Sequence, residues 1–168
     1  EAAVPEAEKL KPELAATLKA SYEGTQSLNE ILNDLLAVSE YGFGYDEKTR
    51  GPVYLDAAIK EIAAAFQPKF EGKKINYRYD LKVTTGKATA NDVVLKKALT
   101  YLFDNALIYS NTVFEVTLKE EGAEFVIAMK DDGIGIPEDD KKLIFGQFFR
   151  AQNAIIKKNV GTGLGLFV

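Results

Sequence analysis

An α+β fold, with a long amphipathic helix placed ahead of it, is the class this sequence predicts. Three observations carry that expectation. From Pro12 to Glu40 apolar residues recur at three-, four- and seven-residue spacings, the period of a helix. Further on, helix-period runs are separated by stretches that alternate apolar and polar residues, the period of a strand. Finally, 168 residues at 46% hydrophobic suffice for one core without staples, and the chain has no Cys to staple with. That size fits one globular domain, or one domain with an appended helix.

The elements follow in order. Residues 1–11 are acidic and Ala-rich and are expected to fray. Pro12 suits a first helical position, and Glu13 is favourable in the first turn. Leu14, Leu18, Thr25, Leu28, Leu32 and Leu35 form a stripe that Ile31 and Leu36 widen, with a break expected near Gly24. A helix-bundle or dimerisation arm is favoured over a helix packed on its own domain, because the stripe is long and precedes every Gly-rich motif. Gly42, Gly44, Gly51 and Pro52 bound a linker. A short strand around Val53-Tyr54 leads to a helix with Asp56 as its N-cap and Ala57, Ile59, Ile62, Ala63 and Phe66 along it, ended by Pro68 and Gly72.

Ile75, Tyr77, Tyr79 and Leu81 read as a strand, Gly86 as a turn and Lys87–Thr89 as another short strand. A helix from Asp92 to Tyr109 turns Val94, Leu95, Ala98, Leu99, Leu102, Phe103 and Ala106 to the core, interrupted by Asn105. Val113–Lys119 and Glu124–Lys130 form a hairpin about Glu121-Gly122 that delivers Asp131 at its end. Pro137 is expected to start a helix through Lys141–Phe145. A loop then runs from Gly146 to Val160, and Gly161–Gly165 open a last helix.

Composition excludes several functions. Net charge −4 and pI near 5.0 argue against a nucleic-acid binder, which usually carries a basic face. No apolar run approaches the ~20 residues that span a bilayer. The absence of His removes imidazole bases, His-ligated metals and any phosphohistidine acceptor from this sequence. The sequence begins at Glu1 rather than Met, so it is read as a cut or processed piece. A cytoplasmic location is expected, with a membrane-anchored parent compatible.

Two Gly-rich loops carry the chemistry. Gly161-Thr162-Gly163-Leu164-Gly165-Leu166 sets alternate glycines around one hydroxyl, and Asp131-Asp132-Gly133-Ile134-Gly135-Ile136 heads its glycines with carboxylates. Backbone N–H groups where a loop enters a helix make an anion site. A plain turn would account for either loop alone. Two of them, behind an Asn-bearing helix, point to a nucleotide site. Asn105 offers an amide oxygen, a hard neutral ligand suited to Mg²⁺; a core Asn tied to backbone is the alternative. Asp131 can accept from an exocyclic amine such as adenine N6, or can simply cap a turn, and Asp132 reads as its exposed neighbour. Arg150 can reach a γ-phosphate or remain a solvated charge. At least one of Phe145, Phe148 and Phe149 is expected in the core. Lys157 and Lys158 read as solvated, and the stretch from Phe149 to Gly161 as a lid.

Together the motifs resemble those of sensor histidine kinases. Leu102-Phe103-Asp104-Asn105-Ala106-Leu107-Ile108-Tyr109-Ser110 is similar to the N box, and Asp131 to Ile136 to the first glycine box. Ile144-Phe145-Gly146-Gln147-Phe148-Phe149-Arg150 is similar to the F box, and Gly161 to Leu166 to the second glycine box. Leu35-Leu36-Ala37-Val38-Ser39 resembles the end of the second dimerisation helix. The resemblance implies a two-layer α/β sandwich of the Bergerat (GHKL ATPase) type, with a mixed sheet covered by helices on one face. It divides the chain into 1–45, a partial dimerisation helix and linker, and 46–168, an ATP-binding domain truncated after the second glycine box.

By motif, Asn105 would hold Mg²⁺ and Asp131 would bind the adenine amino group. Tyr109 and Phe148 would pack near the nucleotide, and Arg150 would approach the phosphates. Gly133, Gly135, Gly161, Thr162, Gly163, Leu164 and Gly165 would shape pocket and lid. The implied partners are ATP, a phospho-accepting His domain, a response regulator and a second copy of the chain through its first helix. The sequence departs from the family at Tyr101, commonly a polar residue, and at Ile108, commonly Lys or Arg. Those departures keep open a degenerate, non-catalytic signalling module. Other GHKL ATPases and serine-kinase anti-sigma factors are disfavoured by the leading helix, and the former by the F box as well.

Overall fold

The computed structural model describes residues 12–41, 49–158 and 161–167. The expectations for the frayed start, for Gly42 and Gly44 and for the boundary between 45 and 46 lie outside the described residues.

Helix α1 spans Pro12–Tyr41 without the break expected at Gly24. One helical glycine costs only about 1 kcal/mol relative to Ala. The turns around it are reinforced by side chains folding back on the helix, Thr25 Oγ1 to the Ser21 carbonyl at 2.9 Å and Ser27 Oγ to the Glu23 carbonyl at 3.0 Å.

Strand β1 (Gly51–Tyr54) runs straight into helix α2 (Leu55–Gly72). Asp56 is not its N-cap. Tyr54 holds that position, with no side-chain bond, and the first helical amide, Leu55 N–H, is met by the Gly86 carbonyl at 2.8 Å. Asp56 sits in the first turn and pairs with Lys60 at 3.1 Å. Pro68 lies inside α2 rather than ending it. It falls on the solvent face, where water can satisfy the carbonyl its missing N–H leaves free.

Strand β2 (Asn76–Lys82) and strand β3 (Lys87–Ala90) follow, and then helix α3 (Asp92–Tyr109). Asn91 caps α3, its Oδ1 accepting from Val93 N at 3.0 Å and Val94 N at 3.1 Å. Strands β4 (Val113–Glu121) and β5 (Glu124–Asp131) form the expected hairpin. The sheet is in two pieces. β1 pairs antiparallel with β3, while β2, β4 and β5 form a mixed sheet in that order, parallel between β2 and β4 and antiparallel between β4 and β5. The parallel pair needs a crossover, and α3 supplies it.

Helices α2 and α3 cover one face of the mixed sheet. Leu55, Ile59, Phe66 and Phe70 of α2 meet Leu99 and Phe103 of α3 and the inward residues Phe114, Val116 and Leu118 of β4. The Phe103 and Phe114 rings meet edge-to-face at 5.2 Å, a favoured aromatic geometry. This layer fixes the orientation of α3 and the end of β5, the two elements that carry Asn105 and Asp131.

Beyond β5 the chain departs from expectation. Pro137 precedes a single 3₁₀ turn, Glu138–Asp140, and then a series of turns rather than a helix. Leu143 and Phe145 there are exposed, so a helix would have had no apolar face to bury. Within the segment read as a loop lies a short helix, α4 (Gln152–Lys157). Gly161–Gly165 lead into a turn, closed by Phe167 N on the Leu164 carbonyl at 3.0 Å, and not into a helix among the described residues.

Candidate functional site

One face of α3 packs on the sheet and the adjoining face looks into a cleft of about 650 Å³. Tyr101, Asn105 and Tyr109 are four residues apart, so they stack along that second face, while Leu99, Phe103 and Ala106 point into the core. Asp131 and Gly135 wall the cleft from the end of β5. Arg150, Gly161, Thr162, Gly163 and Gly165 wall it from the chain's last segment, and Asp34 and Glu30 of α1 complete it. The structure thus gathers most of the residues singled out in sequence. Three are elsewhere. Gly133 lies behind the wall, Leu164 is buried in the packing, and Phe148 is 64% exposed. Phe145 is also exposed, and Phe149 is the half-buried one of the three, on the cleft.

Local chemistry explains the placement of each group. The side chain of Asn105 is half-buried and makes no hydrogen bond among the described residues. Asp131 Oδ1 accepts from Gly133 N at 2.8 Å, which tightens the turn and leaves Oδ2 for another donor. A Cβ at Gly133 would stand 2.3 Å from the Tyr109 carbonyl oxygen, so only glycine lets this loop press on the end of α3. Gly163 has φ +71, and a Cβ there would lie 2.6 Å from the Phe149 carbonyl oxygen.

Asp132 does more than its sequence reading suggested. Its carboxylate accepts from the Thr112 hydroxyl at 2.6 Å and from the amides of Asn111, Thr112 and Val113 at 3.0, 2.9 and 2.9 Å. The Thr112 hydroxyl first, then the amides, hold its pKa well below the usual carboxylate range. It staples the end of β5 to the start of β4 and so fixes the loop that presents Asp131.

Asn153 on α4 was not singled out. Its Nδ2 donates to the Gly135 carbonyl at 3.0 Å, joining α4 to the first glycine loop, and its buried Oδ1 has no partner among the described residues. Arg150 reaches across the same segment, donating to the Lys158 carbonyl and, at 3.5 Å, to those of Ala154 and Gly161. The cleft also carries Asp104, whose pKa burial pushes upward.

Residues 90–168 match the family described as the histidine kinase-, DNA gyrase B- and HSP90-like ATPases. The sensor histidine kinase YkoH of Bacillus subtilis is 31% identical over 165 residues, 94% of this chain and 34% of that protein. This chain carries a histidine kinase-type ATP-binding catalytic domain. Solved structures agree on the fold. The catalytic domain of the histidine kinase ThkA superimposes with a TM-score of 0.62 at 23% identity, over 70% of this chain and 76% of that one. Full-length ShkA in complex with AMPPNP superimposes with a TM-score of 0.72 at 21% identity, over 94% of this chain and 33% of that one. ThkA has also been solved in complex with the response regulator TrrA, with a TM-score of 0.62 at 19% identity over 85% of this chain and 41% of that one. The chain spans about a third of the length of the curated relatives it matches. No described helix is long and apolar enough to cross a membrane.

The side chain in the cleft that could meet Mg²⁺ is that of Asn105, and no group of three or more carboxylates that could hold a metal ion lies among the described residues. An uncommitted amide oxygen on the cleft wall is the kind of ligand this ion takes alongside phosphate and water.

Proposed function

We propose that this chain is the ATP–Mg²⁺-binding catalytic region of a two-component sensor kinase. It presents the γ-phosphoryl group to a His on a separate helix, on the cytoplasmic side. The observation that supports this reading best is the convergence of Asn105, Asp131 and the Gly161–Gly165 segment on one cleft of a size that suits a nucleotide. Bound Mg²⁺ would neutralise phosphate charge. The chain's own groups position: the Asn105 amide oxygen holds the metal side, Asp131 Oδ2 accepts from the base, Tyr109 packs beside it, and the glycine backbone from 161 to 165 approaches the phosphates. Arg150 is placed to bring positive charge to the same wall once it gives up its carbonyl contacts. The acceptor His and a response regulator lie outside this sequence, and α1 offers its leucines to a second copy of the chain.

Calorimetric titration with AMPPNP, with and without Mg²⁺, tests the reading. Saturable binding strengthened by Mg²⁺ is expected. Asp131→Asn should weaken it roughly tenfold to a hundredfold, the value of a hydrogen bond to a charged group, while leaving the thermal transition in place. Equal binding by the variant would remove Asp131 from the base site. A folded chain that binds no nucleotide would favour the degenerate signalling module, for which Tyr101 is the supporting feature. Restoring Tyr101→Asn together with Ile108→Lys should then recover Mg²⁺-dependent binding.

A further inference from the structure

Helix α1 meets the cleft along its polar edge. Ser27, Glu30, Ile31 and Asp34 line the cavity, while the leucines of the same helix face away. Asp34 is the centre of this contact. Its Oδ1 accepts from the Tyr101 hydroxyl at 2.8 Å, and its Oδ2 accepts from the Thr162 hydroxyl. One carboxylate therefore ties α1 to α3 and to the second glycine loop at once. One turn earlier, Glu30 pairs with Lys158 at 3.6 Å, at the end of α4. Lys97 lies over the Tyr101 ring at 4.9 Å, and that ring fills the space a Cβ at Gly165 would need.

We infer that Asp34 is a built-in competitor for phosphate: through Tyr101 and Thr162 it clasps α1 over the cleft and must let go before a nucleoside triphosphate can enter. This rests on the nucleotide reading above. Three facts carry it. The Thr162 hydroxyl, in the loop that would meet the phosphates, is occupied by an anion of the chain itself. Glu30, Asp34 and Asp104 line the cavity, and cations that line it with them are engaged by the chain's own groups, Lys158 by Glu30 and Arg150 by backbone carbonyls, rather than presented to a polyphosphate. And the contact is built from hydrogen bonds and one ion pair with solvent access, which makes it reversible in a way that buried leucines would not be. Tyr101, one of the two residues by which this chain departs from the family motif, is on this view the part that gives the clasp its second anchor.

The test uses the full chain. Because it contains no Cys, spin labels can be placed uniquely at Glu23→Cys on the exposed side of α1 and at Lys119→Cys on β4. Distances by pulsed electron-spin resonance, and AMPPNP–Mg²⁺ affinity by calorimetry, are read on the parent, on Asp34→Ala and on Tyr101→Phe, which keeps the ring and removes only the hydroxyl. The parent should give one narrow distance that lengthens with nucleotide. Both variants should give broad distances without nucleotide, and should bind roughly five- to tenfold tighter because no closed population has to be opened. Nucleotide bound equally by all three chains, with unchanged distances, would overturn the clasp and leave the nucleotide reading standing. Nucleotide bound by none of them, in chains folded by circular dichroism, would overturn the nucleotide reading and the clasp's inhibitory role with it.

Discussion

Helices α1 and α2 both repeat apolar residues at helical spacing, yet α2 buries its stripe and α1 does not. In α2, Leu55, Ile59, Ile62, Phe66 and Phe70 are all buried against α3 and the sheet. In α1, Leu14, Leu18, Leu28, Leu32, Leu35 and Leu36 are all exposed, with Leu28 at 63%. Fully burying such a side chain is worth about 1.5–3 kcal/mol. The stabilisation of α2 is thus internal to the domain, and the exposed leucines of α1 contribute none of this kind. Periodicity decides which face of a helix is apolar. It does not decide what that face meets, and α1 meets its own domain through Asp34 and Glu30, with Ala37 buried and Ile31 on the cleft, rather than through its leucines.

Three variants sharpen this contrast, the largest effect first. Phe103→Ala removes a ring that is 0% exposed and touches Phe66, Phe70, Tyr77 and Phe114. It should cost about 3–5 kcal/mol by denaturant titration. A loss under about 1 kcal/mol would mean the core collapses around the gap. Asp132→Asn acts at the seam between core and cleft. The wild-type carboxylate has a folded pKa below its unfolded one, so its stabilisation is full above about pH 4 and is lost as pH falls through the folded value. The variant should be less stable at neutral pH and should show a shallower decline into acid. Parallel acid limbs would deny the staple its role. Leu28→Ser with Leu32→Ser should shift the domain's unfolding by less than about 0.5 kcal/mol. If α1 is a dimerisation arm, it should also lower self-association in sedimentation velocity. A large loss of domain stability would show that the stripe is packed after all.

What could be read in sequence was local. The α3 boundaries, the β4–β5 hairpin and the positions of Asn105 and Asp131 all follow from period, turn residues and short motifs. What could not be read depends on chain segments far apart. Asp56 is not the cap because the helix already starts at Leu55, whose N–H is met by the carbonyl of Gly86, just before β3. Asp132, Asn153 and Asp34 have no pattern around them that reveals their partners. Asp34 meets Thr162 across 128 residues, Asn153 meets Gly135 across 18, and Asp132 meets Thr112 across 20. Pro68 continues α2 where its sequence position predicts a stop, because a proline's cost depends on exposure, which the sequence does not state.

The Asp132 staple also bears on the order of assembly. Pairing β4 with β5 closes a short loop, whereas pairing β2 with β4 must bring Asn76 to Val113 across the whole of α3. Loop closure is cheaper for the first, so the hairpin is expected to nucleate and the parallel pair to follow. By locking residues 111–113 to the far end of β5, Asp132 lets the hairpin carry the Asp131 turn with it. The floor of the cleft would then exist early in folding, before the wall that α1 provides, and mutations at Thr112 or Asp132 would slow refolding more than they speed unfolding.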